Sequence, residues 1–192
     1  IIGAGGVGTS AAKIIQRSGA EADWAEKVVV ADYDVERAKK VANEICGGGK
    51  FVPEQINAMD ADNIKAVIAK HDIDFAMNAC DPRMNETIFD TCLAAKIGYL
   101  DCAMTLGTEH PEKPYELPNI KLGDYQFAKQ KEWEASGKIA ICGSGVEPGM
   151  ADVFAKYAEK HLFDKIDEVN VRDGDNYGNT DSDFGFSVWT TI

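Results

Sequence analysis

The sequence predicts an α/β fold: a doubly wound parallel sheet with helices on both faces, followed by the start of a second α/β unit. Three observations predict it. Short apolar runs alternate with amphipathic stretches along residues 1–142. A glycine-rich turn, Gly3-Ala4-Gly5-Gly6-Val7-Gly8, directly follows the first apolar run. The next apolar run, residues 27–32, ends in a carboxylate, Asp32. Apolar strands alternating with helices argue for a parallel sheet buried on both sides.

The elements follow in order. Ile1 and Ile2 belong to the first strand. An amphipathic helix over residues 7–18 places Ala11, Ala12, Ile14 and Ile15 on one side. Residues 28–32 form the second strand. Asp34 caps a helix over 35–45, which Gly47-Gly48-Gly49 ends. A third strand covers 51–56, and Asp60 or Asp62 caps a helix reaching residue 70. Residues 75–79 give a fourth strand, 85–95 a helix, and 98–101 begin a fifth strand. Residues 111–123, rich in Pro, Glu and Lys, read as a loop. A helix over 125–136 precedes a sixth strand at 139–142. Residues 150–162 read as a helix and 164–172 as a strand of the second unit. Ser187 to Ile192 reads as a further strand able to pair across a dimer.

Gly3, Gly5 and Gly8 fit the G-x-G-x-x-G fingerprint of a dinucleotide-binding βαβ unit. Gly3 permits the tight strand-to-helix turn, Gly5 lets a pyrophosphate approach the backbone, and Gly8 lets the helix pack on the strand. Gly6 and Val7 open the helix, whose free N–H groups favour phosphate. Asp32 stands at the spacing expected of an acid that accepts hydrogen bonds from the adenosine ribose. Its charge repels a 2′-phosphate, and the first cation after it is Arg37. NAD is therefore the expected cofactor, with NADP the less favoured alternative. Ligands of open α/β sheets sit beyond the carboxyl ends of the strands. That places Asp60 near the adenine, and Asn78, Ala79 and Cys80 along the nicotinamide ribose.

The 192 residues carry a net charge of −12 and are 45% hydrophobic. An acidic protein of this kind is a poor partner for nucleic acid or anionic membrane. No apolar stretch in the sequence approaches the length of a membrane span. The five cysteines, at 46, 80, 92, 102 and 142, form no C-x-x-C pair, and the histidines stand only at 71, 110 and 161. Neither a disulfide framework nor a metal site is expected. Free cysteines fit a reducing cytoplasm. Because the chain opens inside a strand without Met, it reads as a piece of a longer protein.

Three segments carry a more specific signal: the opening Ile-Gly-Ala-Gly-Gly-Val-Gly, then Gly98-Tyr99-Leu100-Asp101, then Gly143-Ser144-Gly145-Val146-Glu147-Pro148-Gly149-Met150. In this order and spacing they resemble the saccharopine dehydrogenase superfamily, in the branch of saccharopine, carboxynorspermidine and lysine 6-dehydrogenases. The resemblance spans essentially the whole chain. It implies a Rossmann domain, residues 1–143, and the beginning of a substrate-binding and dimerisation domain, 144–192. It implies hydride transfer between a nicotinamide and a carbon bearing an amine nitrogen, on a small amino acid derivative. NADPH-using members often carry Ser-Arg or Thr-Arg after the second strand, where this chain has Asp32-Tyr33.

Amine oxidation needs one group to move protons. Asp101, Glu147 and His110 are the candidates on the cleft side. A substrate with several carboxylates calls for Arg, which binds them in a fork. Arg83 and Arg172 are the candidates, joined on the substrate side by Cys102, near a strand end. A rival reading is a non-catalytic dinucleotide sensor, which would bind the cofactor and turn nothing over.

Overall fold

The computed structural model describes residues 1–172. Its centre is one six-stranded parallel arrangement built around Ile2. β1 (Val28–Asp32) pairs in parallel with β2 (Phe51–Gln55). β3 (Phe75–Asn78) pairs with β4 (Gly98–Asp101), and β4 pairs with β7 (Ala140–Ile141). Ile2 bridges both halves, to Ala31 on one side and Asn78 on the other. The spatial order is therefore β2, β1, the Ile2 segment, β3, β4, β7. This is the doubly wound order, with its switch point at the first strand.

All five residues of β1 are buried, and successive side chains point to opposite faces. Val28 and Val30 join Ala4, Ala12, Val41, Ala42, Cys46 and Phe51 on one face. There α1 (Gly6–Arg17) and α2 (Val35–Lys39) cover the sheet. Val29 and Ala31 join Ile2, Ile64, Val67, Ile88, Phe89, Tyr99 and Trp133 on the other. That face is covered by α3 (Ala61–His71), α4 (Asn85–Ala95) and α6 (Gln130–Ser136). The rings of Phe89, Tyr99 and Trp133 meet at centroid distances of 5.1–6.3 Å. Each fully buried side chain of this size contributes about 1.5–3 kcal/mol.

The helix expected at 35–45 forms, but its second half, Lys40–Ile45, widens to π geometry. The helix expected over 125–136 is two helices. α5 (Asp124–Ala128) and α6 break at Lys129, whose φ is −96° and ψ 12°. The break lets α5 bury Gln126 while α6 buries Trp133. The Lys129 ammonium and the Tyr125 hydroxyl both bind Asp90 of α4, at 2.5 and 2.6 Å.

The segment read as a loop at 111–123 contains a strand. β6 (Pro118–Ile120) pairs antiparallel with β5 (Thr108–Glu109) as a small hairpin outside the main sheet. Residues 164–172, read as a strand, form none; a strand needs a bonded neighbour, and nothing among the described residues supplies one. α7 (Met150–His161) buries no residue. The strand expected at 187–192 lies outside the described residues. No helix among those residues is long and apolar enough to cross a membrane.

α3 is pinned at both ends. Asp60 accepts from the N–H groups of Asp62 and Asn63. At the other end His71 and Lys70 both bind Glu54 of β2, each at 2.6 Å. Burial alone would raise the Glu54 carboxyl, but the hydrogen bonds from His71 and Lys70 outweigh it and hold the group at about 2. A carboxyl depressed below its ordinary value stabilises the fold above about pH 4.3, and the benefit disappears as pH falls toward 2. Glu54→Gln is therefore expected to cost about 1–2 kcal/mol at neutral pH. The gap between wild type and variant in urea melts should close progressively between pH 4 and 2.

Candidate dinucleotide site

The glycine turn is built by contact on one side and openness on the other. Gly3 sits at φ +98°, and a Cβ there would lie 2.8 Å from the Ala79 carbonyl oxygen. A Cβ on Gly8 would lie 1.8 Å from the Gly3 carbonyl oxygen. By contrast, a Cβ on Gly5 or Gly6 would meet nothing within 4 Å among the described residues. Gly5 caps α1 without any side-chain hydrogen bond, and no acidic residue occupies the first helical turn. The first N–H groups of α1, around Gly6 and Val7, therefore face open space with the positive end of the helix dipole behind them. Such a cradle fits a pyrophosphate.

Asp32 closes the turn from the neighbouring strand. One of its oxygens accepts from the Ala4 N–H at 2.7 Å, and the other from the Asp34 N–H at 2.9 Å. The side chain is 9% exposed, and the Arg37 guanidinium stands 3.6 Å away. A carboxylate offers about four acceptor positions, so two remain for ribose hydroxyls. The expected ribose acid thus also shapes the glycine turn, a second role that spacing alone did not suggest. One oxygen of Asp60 caps α3, leaving the other to meet a base.

Asn78, Ala79 and Cys80 stand across the switch point. The Ala79 N–H donates to the Ile2 carbonyl at 2.8 Å. The Cys80 thiol donates to the same carbonyl at 3.4 Å, and its N–H donates to the Asn78 side chain at 3.0 Å. Burial, and then the nearby Asp32 charge, push the Cys80 thiol up to about 12. Burial likewise pushes Cys142 up to about 12. Both are packing thiols rather than nucleophiles.

The three proton-transfer candidates differ sharply. Asp101 is 1% exposed. It accepts from the Tyr99 hydroxyl at 2.8 Å, the Gln126 amide at 2.5 Å, the Met104 N–H at 3.1 Å and the Gly143 N–H at 2.7 Å. All four acceptor positions are taken, so the acid/base role expected of Asp101 gives way to a structural one. His110 is half-buried beyond β5, where its Nδ1 accepts from the N–H groups of Glu112 and Lys113. It stiffens its own loop. Glu147 is exposed, and among the described residues no hydrogen bond or ion pair engages its carboxylate.

The substrate-side candidates are also separated. One edge of the Arg83 guanidinium pairs with Asp81 of its own loop, at 2.8 and 3.1 Å, on a side chain that stays 74% exposed. Arg172 is exposed near the end of the described residues. Cys102 is half-buried against the 143–149 turn: a Cβ on Gly145 would lie 2.4 Å from its carbonyl oxygen. Among the described residues no cluster of His, Cys, Asp and Glu is arranged to hold a metal. A cavity of about 670 Å³ opens elsewhere, at the amino ends of the strands under Ile1, Val28 and Phe75.

Sheet order, open glycine cradle and strand-end carboxylate together define a Rossmann-type dinucleotide-binding domain. A family model described as the saccharopine dehydrogenase NADP binding domain matches residues 1–141. The chain belongs to that family. It is 33% identical over 181 residues to carboxynorspermidine synthase of Vibrio alginolyticus, covering 90% of this chain and 42% of the relative. It is 30% identical over 175 residues to carboxyaminopropylagmatine dehydrogenase of a Synechocystis species, covering 90% and 40%. The chain thus spans about two fifths of the curated relatives it matches. Among solved structures, apo saccharopine dehydrogenase (L-Glu forming) from Saccharomyces cerevisiae shares the fold, with a TM-score of 0.60 at 14% identity. That match covers 84% of this chain and 30% of the yeast protein.

Proposed function

We propose that this chain is the dinucleotide-binding part of an NAD-dependent oxidoreductase acting on the CH–NH bond of an amino acid derivative. The observation that carries the reading is the open cradle at Gly5 and Gly6, tied to Asp32 through the Ala4 N–H. The nicotinamide ring, when bound, supplies the hydride chemistry. This chain's residues bind and orient: the α1 N-terminus takes the pyrophosphate, and Asp32 the adenosine ribose.

The substrate class is a secondary amine carrying an amino acid carboxylate, or the imine that is reduced to it. Saccharopine is one such compound. The names of the two bacterial relatives favour a second member of the class, a carboxyalkyl polyamine or agmatine derivative. In the oxidative direction the amine nitrogen loses a proton and its neighbouring carbon loses a hydride. Water then cleaves the imine to an amine and a carbonyl. In this reading Glu147, exposed and unengaged among the described residues, is the proton carrier.

The test uses the full-length protein. NAD is mixed with saccharopine, and separately NADH or NADPH is mixed with an amine and a carbonyl partner, while nicotinamide absorbance is followed. Turnover in either direction, lost in Glu147→Gln with NADH affinity kept, supports the reading. Tight NADH binding with no turnover on any of these compounds overturns the catalytic part and leaves a sensor.

A further inference from the structure

We propose that Asp101 is a positioning residue for the nicotinamide half of the dinucleotide, acting by locking three strand-end loops together through one buried polar network. The inference rests on reading this crevice as a dinucleotide site. Its evidence is a connected set of hydrogen bonds at the carboxyl ends of β3, β4 and β7.

From Asp101 the network runs in two directions. The Tyr99 hydroxyl donates to Asp101 and accepts from the Asn78 amide at 3.3 Å. Asn78 also donates to Asn85 at 2.7 Å, and Asn85 donates to the Met104 carbonyl at 2.5 Å. On the other side, Gln126 donates to Asp101 and accepts from the Thr105 N–H at 2.8 Å. The Asp101 backbone joins in, its carbonyl accepting from the Ser144 N–H at 2.8 Å. Asn78, Asn85, Tyr99, Asp101, Thr105 and Gln126 are all at most 3% exposed.

The placement of these bonds is selective. They fix the loop after β3 through Asn78, which in turn holds the Cys80 N–H. They fix the loop after β4 through Met104 and Thr105. They fix the turn after β7 through Gly143 and Ser144. All three loops emerge on the far side of Ile2 from Asp32. A doubly wound sheet binds one mononucleotide per half. With Asp32 and the glycine turn on the adenosine half, the network underlies the nicotinamide half alone. A buried network specifies one geometry, because every broken member leaves an unpaired group in a poorly polar interior; among the described residues the Thr105 hydroxyl is the one buried side-chain group of the network without a partner. Each of the four donors at Asp101 needs an acceptor. Asn in its place would point an NH₂ group at two of them.

The proposal predicts a split between ligands. Binding of NADH and of ADP, which lacks the nicotinamide half, is measured by calorimetry on the full-length protein. Wild type, Asp101→Asn and Tyr99→Phe are compared at a temperature where circular dichroism shows each folded. NADH affinity is expected to fall tenfold or more in both variants, while ADP affinity stays within about twofold. If Asp101→Asn does not fold, Tyr99→Phe, which keeps the ring and removes one link, decides alone. Parallel losses for NADH and ADP, or no loss for either, would overturn the positioning role. A wild-type protein that binds neither ligand would overturn the dinucleotide reading and the inference with it.

Discussion

Gly8→Ala is expected to destabilise the domain by about 3 kcal/mol or more, whereas Gly6→Ala is expected to leave folding intact and damage binding. The two residues are two positions apart on the same helix. A Cβ at Gly8 would stand 1.8 Å from the Gly3 carbonyl oxygen, a backbone atom that no rotamer change can move away. Relief would require α1 to lift off the sheet, taking buried Ala12 with it. For a chain of this length the loss corresponds to a fall in Tm of about 6–12 °C. At Gly6 an added Cβ meets nothing within 4 Å among the described residues. Replacing a helical Gly by Ala adds about 0.5–1 kcal/mol of stability. The new methyl group, however, stands in the space a pyrophosphate would occupy. NADH affinity, read by fluorescence titration, should fall about tenfold, or about 1.4 kcal/mol. A Gly6→Ala variant that binds NADH as well as wild type would show that the cradle is not where phosphate sits.

The second large effect concerns cofactor choice. Wild type is expected to bind NADH more tightly than NADPH, because Asp32 is a nearly buried carboxylate at the ribose end of the crevice. Asp32→Ser should shift the preference toward NADPH by about tenfold or more, since it removes the charge that opposes a 2′-phosphate. Arg37→Ala should act in the opposite sense. Arg37 is half exposed, so its pairing with Asp32 is weak and can be exchanged for a phosphate at little cost. Its loss should lower NADPH affinity and leave NADH nearly unchanged. A wild type that prefers NADPH, in keeping with the description of its family model, would overturn the NAD assignment.

What the sequence made legible was mostly local. The spacing of the glycines, the β1 run ending at Asp32 and the helix over 85–95 are each patterns written within a few residues of sequence. Periodicity and glycine spacing report such relations directly. The role of Asp101 was not legible in this way. Its position at a strand end suggested a cleft acid. Its partners Gln126 and Gly143 lie 25 and 42 residues away, and only the tertiary fold brings them to it. The break at Lys129 has the same kind of cause, since Asp90, on another helix, holds Lys129 and Tyr125. Arg83 illustrates the reverse case. Asp81 is only two residues away, and Asp-Pro-Arg already contained the partner of one edge of the guanidinium.

The Ile2 segment has a consequence for how the domain comes apart. Four amide hydrogen bonds cross it: Ile2 to Met77, Gly3 to Ala31, Ala31 to Ile1, and Ala79 to Ile2. They join a two-stranded half to a three-stranded half, each with its own ladder. In hydrogen–deuterium exchange these four amides act as a seam. If the halves open as one cooperative unit, the seam exchanges at the rate of the slowest ladder amides. If they open separately, the seam exchanges at the rate of whichever half is weaker, and the glycine turn, anchored to that seam through Gly3, is released before the stronger half unravels.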